Sequence, residues 1–144
     1  MKKILFLVKV CLMLWIGVNI QAQDCRRYEN KCPAPPKEFK ISSSSKSFTL
    51  KKMKKVNLNL TLFGNRAYFI SAKGNSKLGK IHFRVIEANE NKTVLYDNAA
   101  DSYTLHKIFE ISSTLNVIVE VSAPTYKTER KSECSAVLVA YQKL

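Results

Sequence analysis

His82 and His106 are the two imidazoles of the chain, and each lies in a stretch that alternates apolar and polar residues. Neither belongs to an HExxH or His-x-His motif, and no CxxC occurs, so the spacing offers neither a hydrolytic nor a structural zinc site. Serines are numerous, yet none stands in a GxSxG turn that would expose a nucleophile. A hydrolase would have to assemble its site from scattered residues such as His82, His106 and Asp101. Glu87, Glu90, Asp97 and Asp101 bunch around one turn and its exit, offering oxygen donors of the kind calcium takes. They lack EF-hand spacing, and Lys92 lies among them. In "KGNSKLGK", Gly74 and Gly79 flank lysines as a phosphate cradle might, but the spacing matches neither a Walker loop nor a dinucleotide turn. These residues point to a non-catalytic protein, with no catalytic residue, metal or cofactor assigned.

The other chemistry available is charge. The chain carries 24 Lys and Arg against 11 Asp and Glu, a net of +13. In "LKKMKKVNLNLTLFGNRAYFI", Lys51, Lys52, Lys54 and Lys55 crowd into five positions. Met53 is out of step with the even-numbered apolar row that follows, so regular pairing breaks there and the run reads as a turn or edge. Lysines in such a place oppose edge-to-edge pairing of sheets, which explains them without a ligand. They also form a candidate anion-binding patch, together with Lys127, Arg130 and Lys131 in the loop "TYKTERKSE". The partners such charge favours are an anionic glycan or cell-envelope surface, with a protein partner also open. No nucleic acid is expected, because neither a recognition helix nor an aromatic RNP sheet signature is present.

The elements that position these residues follow from the pattern. Met1-Lys2-Lys3, an apolar stretch over residues 4–18 broken only by Lys9, and "NIQAQ" form a secretory signal peptide cleaved after Ala22. The apolar stretch is shorter than the ~20 residues that span a bilayer, so the mature chain is expected to have no transmembrane segment. The signal holds three of the 24 basic residues and none of the 11 acids, leaving 122 residues of net charge +10 in a secreted or periplasmic protein. Residues 23–46 read as a Cys-, Pro- and Ser-rich leader. "DCRRYENKC" suits a short helix capped by Asp24, the prolines of "PAPP" end it, and "SSSS" is loop.

From residue 47 to 144 the period is two almost everywhere. "SFTL", "VNLNLTLF", "AYFISA", "KIHFRVIEA", "TVLYD", "LHKIFEIS", "LNVIVEV" and "CSAVLVAYQ" make about eight strands, predicting an all-β, antiparallel β-sandwich of jelly-roll-like type. "FGNR" predicts a hairpin. A three-residue turn sets Leu62 against Tyr68, Leu60 against Ile70 and Leu58 against Ala72, with Phe69 on the other face beside Asn59 and Thr61.

Taken together, "VNLNLTLFGNRAYFISA", "GKIHFRVIEANENKTVLYDN" and "CSAVLVAYQ" resemble small secreted bacterial β-sandwich proteins without an assigned activity. More distantly the pattern is similar to the bacterial pre-peptidase C-terminal domain, a jelly-roll-like module attached to secreted hydrolases. The likeness covers roughly residues 48–142 and implies a non-catalytic binding or accessory role. The alternatives are the small hydrolase above and an envelope or matrix component assembled through strand edges.

Export also decides the cysteine chemistry, because Cys25, Cys32 and Cys134 enter a compartment where disulfides persist. A helical leader would hold Cys25 and Cys32 ~10.5 Å apart along its axis, beyond the roughly 7 Å a disulfide spans. Cys134 opens the last strand, near a sheet end that the leader can reach. The expected bridge is Cys32 to Cys134, with Cys25 as the alternative partner.

Overall fold

The structure, a computed structural model, describes residues 24–128 and 131–144. The expected signal segment with its expected cleavage site, and Arg130, lie outside the described residues. Among the described residues nine strands form two antiparallel sheets packed as a sandwich: β1 (Lys40–Ile41), β2 (Lys46–Lys51), β3 (Lys55–Leu62), β4 (Arg66–Gly74), β5 (His82–Glu87), β6 (Val94–Asp97), β7 (His106–Ile111), β8 (Leu115–Ser122) and β9 (Ser132–Lys143). One sheet runs β1-β9-β4-β7, with β2 also paired to β9, and the other runs β3-β8-β5-β6. Among the described residues no helix is long and apolar enough to cross a membrane.

The eight stretches read as strands are β2 to β9; the ninth, β1, comes from the leader. Period-two alternation builds the core as anticipated. Leu58, Leu60 and Leu62 of β3, Phe83 and Val85 of β5, and Val117, Val119 and Val121 of β8 face Tyr68, Ile70, Val137 and Val139 of the opposite sheet. Each side chain so buried contributes about 1.5–3 kcal/mol.

The Gly64 hairpin does not form. β3 pairs with β8, while β4 lies between β7 and β9 in the other sheet. Residues 63–65 therefore carry the chain across the sandwich. Gly64 is needed there: a Cβ would lie 2.7 Å from the Ser112 carbonyl oxygen. The Tyr68 hydroxyl accepts from the Phe63 N–H at 2.9 Å and braces the crossing. Facing the two apolar rows across two sheets buries both, whereas a hairpin would leave them side by side on one. Tyr68, Ile70 and Ala72 thus point inward as expected, but as partners across layers. Phe69 lies on the outer face of the five-stranded sheet, away from Asn59 and Thr61.

That outer face is covered by the leader. Phe69, Ala136, Leu138 and Ala140 form a second apolar cluster with Cys32, against which Tyr28 and Phe39 pack. The leader contains a single 3-10 turn, Tyr28–Lys31, rather than the Asp24-capped helix. Asp24 instead accepts from the Arg26 N–H at 3.0 Å. The Pro33 carbonyl accepts from Ser71 Oγ at 3.1 Å. The Ser45 hydroxyl takes the Val139 N–H at 2.9 Å, bridging the gap between β1 and β2.

The bridge joins Cys25 to Cys134, Cα atoms 5.3 Å apart and 109 residues apart in sequence. The alternative partner is the one used, and the expected Cys32–Cys134 pairing is corrected. Cys32 faces inward beneath the leader and donates its S–H to the Ala136 carbonyl at 3.5 Å. Cys25, before the 3-10 turn, sits over the start of β9.

Candidate functional site

The two lysine-bearing segments meet at one end of the sandwich. The register places Lys51, at the end of β2, opposite Ser132 at the start of β9. Lys55, at the start of β3, lies opposite Ser122 at the end of β8. The β2–β3 turn and the β8–β9 loop therefore leave the sheets side by side. Met53 forms the tip of the first with φ 56° and stands 89% exposed. The Lys54 N–H closes that turn on the Lys51 carbonyl at 3.2 Å.

A third connection, between β4 and β5, joins them. Gly74 ends β4 opposite Ser135 near the start of β9, so Lys77 and Lys80 emerge at the same end. This is the "KGNSKLGK" segment, and its glycines answer to packing. A Cβ on Gly74 would lie 2.5 Å from Ile81 Cδ1, and Gly79 has φ +71° with Thr125 Oγ1 2.5 Å from its Cβ position. Thr125 Oγ1 accepts from the Lys80 N–H at 3.2 Å, tying this connection to the β8–β9 loop. The Tyr126 hydroxyl donates to the Lys131 carbonyl at 3.3 Å.

Between the loops lies an open depression of about 520 Å³. Lys52, Lys54, Lys55 and Lys127 line it, with Met53, Ala123, Pro124 and Tyr126 as apolar surface and His82 and Ser122 at its side. No carboxylate lines it among the described residues. The sequence singled out Lys51, Lys52, Lys54, Lys55, Lys127 and Lys131, all of which fall at this end. It missed Met53, Lys77, Lys80, His82 and Tyr126, whose membership depends on strand order. An odd-positioned methionine between lysine pairs was the one signal available.

Not all of this charge is equally available. Lys55 Nζ lies 3.1 Å from Glu120 Oε1, which also accepts from Arg84 Nη2 at 2.7 Å. Burial alone would raise the Glu120 carboxyl, but Arg84 and Lys55 outweigh it and hold it below its ordinary value. Beside this trio, His82 Nε2 lies 2.7 Å from Asp97 Oδ1. Burial again works against Asp97; the Ala99 N–H and His82 prevail and lower its pKa.

The scattered hydrolase residues are not brought together. His82 lies on the outer face of the four-stranded sheet. His106 stacks on Phe69, ring centroids 5.3 Å apart, on the outer face of the other sheet. Asp101 accepts from the Tyr96 hydroxyl at 2.9 Å. Burial first, and then Asp101, push that phenol up to about 12. The four acids considered for calcium are also divided. Glu87 and Glu90 stand at the turn of the β5–β6 hairpin, and Asp97 and Asp101 at its open end. Among the described residues no group of three or more His, Cys, Asp or Glu is placed to hold a metal.

No protein-family model and no curated protein matches the chain, so the likeness to the pre-peptidase C-terminal domain rests on pattern alone. Among solved structures, the fold is similar to that of Aeromonas hydrophila PliG, a periplasmic lysozyme inhibitor of g-type lysozyme, at 13% sequence identity and a TM-score of 0.47, covering 76% of this chain and 93% of that one.

Proposed function

We propose that this protein is an exported, non-catalytic binding module whose basic end takes an anionic surface glycan of the cell envelope. The observation that carries the reading is the convergence of lysines from the β2–β3 turn and the β8–β9 loop on one open depression, without a carboxylate in its lining among the described residues. Lysine is a point charge on a flexible stem, suited to repeated sulfate, phosphate or carboxylate groups rather than to one fixed geometry. An open depression with apolar surface from Met53 and Pro124 suits a segment of a polymer better than an enclosed small molecule. Exposed charges also act beyond contact distance, drawing polyanions toward this end of a chain whose net charge is strongly positive.

The test is binding of the mature protein to an acidic polysaccharide such as heparin, compared with a neutral glycan, over a range of salt. Affinity should fall steeply with salt, since exposed charges are screened over about 8 Å at physiological ionic strength. The double variant Lys54→Glu/Lys127→Glu should lose at least about tenfold in affinity at low salt, with unfolding unchanged within ~0.5 kcal/mol. Equal retention of wild type and variant on the polyanion would refute the assignment of this end.

A further inference from the structure

The four-stranded sheet ends on β3, whose far side meets no other strand among the described residues. β3 is eight residues long, an edge of about 26 Å. Its pairing with β8 is regular from Lys55 opposite Ser122 to Leu62 opposite Leu115. The hydrogen-bond parity of that edge can be worked out. The Asn116 carbonyl accepts from the Ala88 N–H at 2.8 Å, so Asn116 turns its backbone groups away from β3. Its partner Thr61 therefore sits in a non-hydrogen-bonded pair and directs its own N–H and C=O outward. The unbroken register carries the same parity to Asn59, Asn57 and Lys55.

Edges of this kind are normally protected by shortness, bulges, proline or interior charge. β6, at the other end of the same sheet, has four residues and a register shift opposite Val85 and Ile86. β7 carries Lys107 and Glu110. The interior of β3 is Asn57, Leu58, Asn59, Leu60 and Thr61, with none of these devices.

The edge also borders a groove. A hollow of about 450 Å³ lies between β3 and β2, with Phe48 and Val56 as partly buried apolar surface and Lys46 on its wall. It adjoins a smaller hollow of about 100 Å³ toward Phe63 and Arg66, the two sharing Ser44 and Leu60. Among the described residues neither lining contains a carboxylate.

We propose that β3 and this groove bind an extended peptide of alternating apolar and acidic residues, added to the sheet as a fifth strand. Alternation lets one row of side chains cover Phe48 and Val56 while the other stays in solvent, and main-chain bonds to Asn57, Asn59 and Thr61 supply the affinity. The acidic preference follows from Lys46 and Arg66 along the rim. A second copy of the chain is the poorer occupant: antiparallel self-pairing about Asn59 sets the Lys55 end of one copy against the Arg66 end of the other. The site lies apart from the basic end and does not depend on its reading.

The experiment follows amide hydrogen exchange by NMR on the full mature chain, with a blocked octapeptide of alternating valine and glutamate as the probe. The amides of Asn57, Asn59 and Thr61 should exchange at least about tenfold more slowly with peptide than without. The valine–lysine analogue should leave them unchanged. Asn59→Pro, which removes one outward N–H and no bond to β8, should abolish the protection. Lys46→Glu, on β2 and outside the ladder, should weaken binding by about fivefold, and Lys54→Glu/Lys127→Glu should leave it intact. Failure to bind, or perturbation confined to the β2–β3 turn and the β8–β9 loop, would overturn the proposal. Protection that grows with protein concentration in the absence of peptide would overturn it too, by assigning the edge to a second copy.

Discussion

Glu120 shows how a single carboxylate organises the outer face of the four-stranded sheet. It sits on β8 between β3 and β5 with its side chain 14% exposed, and it holds Lys55 from one neighbour and Arg84 from the other. Such a half-buried trio contributes more than an exposed pair, because the guanidinium contact is charge-assisted and partly shielded from water. The net lowering of its pKa fixes the sign of the pH dependence. A depressed carboxylate stabilises the fold above its unfolded value, near 4.5, and loses that contribution as pH falls through the folded value. Glu120→Gln should therefore cost about 1 kcal/mol at neutral pH. That deficit should shrink as the pH is lowered below 4.5, as read from denaturant midpoints. A deficit constant between pH 7 and pH 3 would show that the charge plays no part. Cys32 is a residue-scale contrast: burial pushes its thiol up to about 11, so it behaves as a small apolar side chain.

At the scale of elements, the leader is the decisive piece. β4 and β9 are buried on both faces because a nonregular segment seals the outer one, with Phe39 edge-on to Phe69 at a centroid separation of 6.3 Å. The apolar runs in "AYFISA" and "CSAVLVA" carried that information. Continuous burial, rather than alternation, marks a strand covered on two sides. Nothing in the leader's composition announces the partner it covers, since Cys, Pro and Ser give no period. Phe69→Ala should destabilise by about 3 kcal/mol in chemical unfolding, by emptying the space between leader and sheet. Phe63→Ala, whose ring is 50% exposed, should cost less than about 1 kcal/mol. Equal costs would mean that the leader does not seal this face.

For the whole molecule, the Cys25–Cys134 bridge ties the start of the leader to the start of the last strand across 109 residues. Closing a loop of that length stabilises by on the order of 4 kcal/mol in the chain-entropy model. The double variant Cys25→Ser/Cys134→Ser should lose about that much and become more open to proteolysis near Arg26 and Arg27. A non-reducing peptide map of the wild type should show Cys25 joined to Cys134 with Cys32 as a thiol. Recovery of Cys32 in a bridge to Cys134 would reverse this assignment. The same topology gathers the basic residues, because strand order places three connections at one end whatever their separation in the chain.

The sequence by itself determined the class of fold, the positions of eight strands and, for β3 and β5, which face points to the core. Those follow from a period of two, a property each strand carries locally. It also marked Lys51 to Lys55 as a turn or edge, since Met53 breaks the row. Tertiary structure decided the rest. Whether β3 pairs with β4 or faces it across the core leaves the same inward residues, so alternation cannot distinguish the two. The partner of Cys134 depends on where an aperiodic leader crosses the sheet, which no local pattern encodes. The grouping of Lys77, Lys80 and His82 with the predicted lysines, and the separation of His82 from His106, arise from strand order. Strand order is set by which apolar faces bury one another best over the whole chain, and that is a global property.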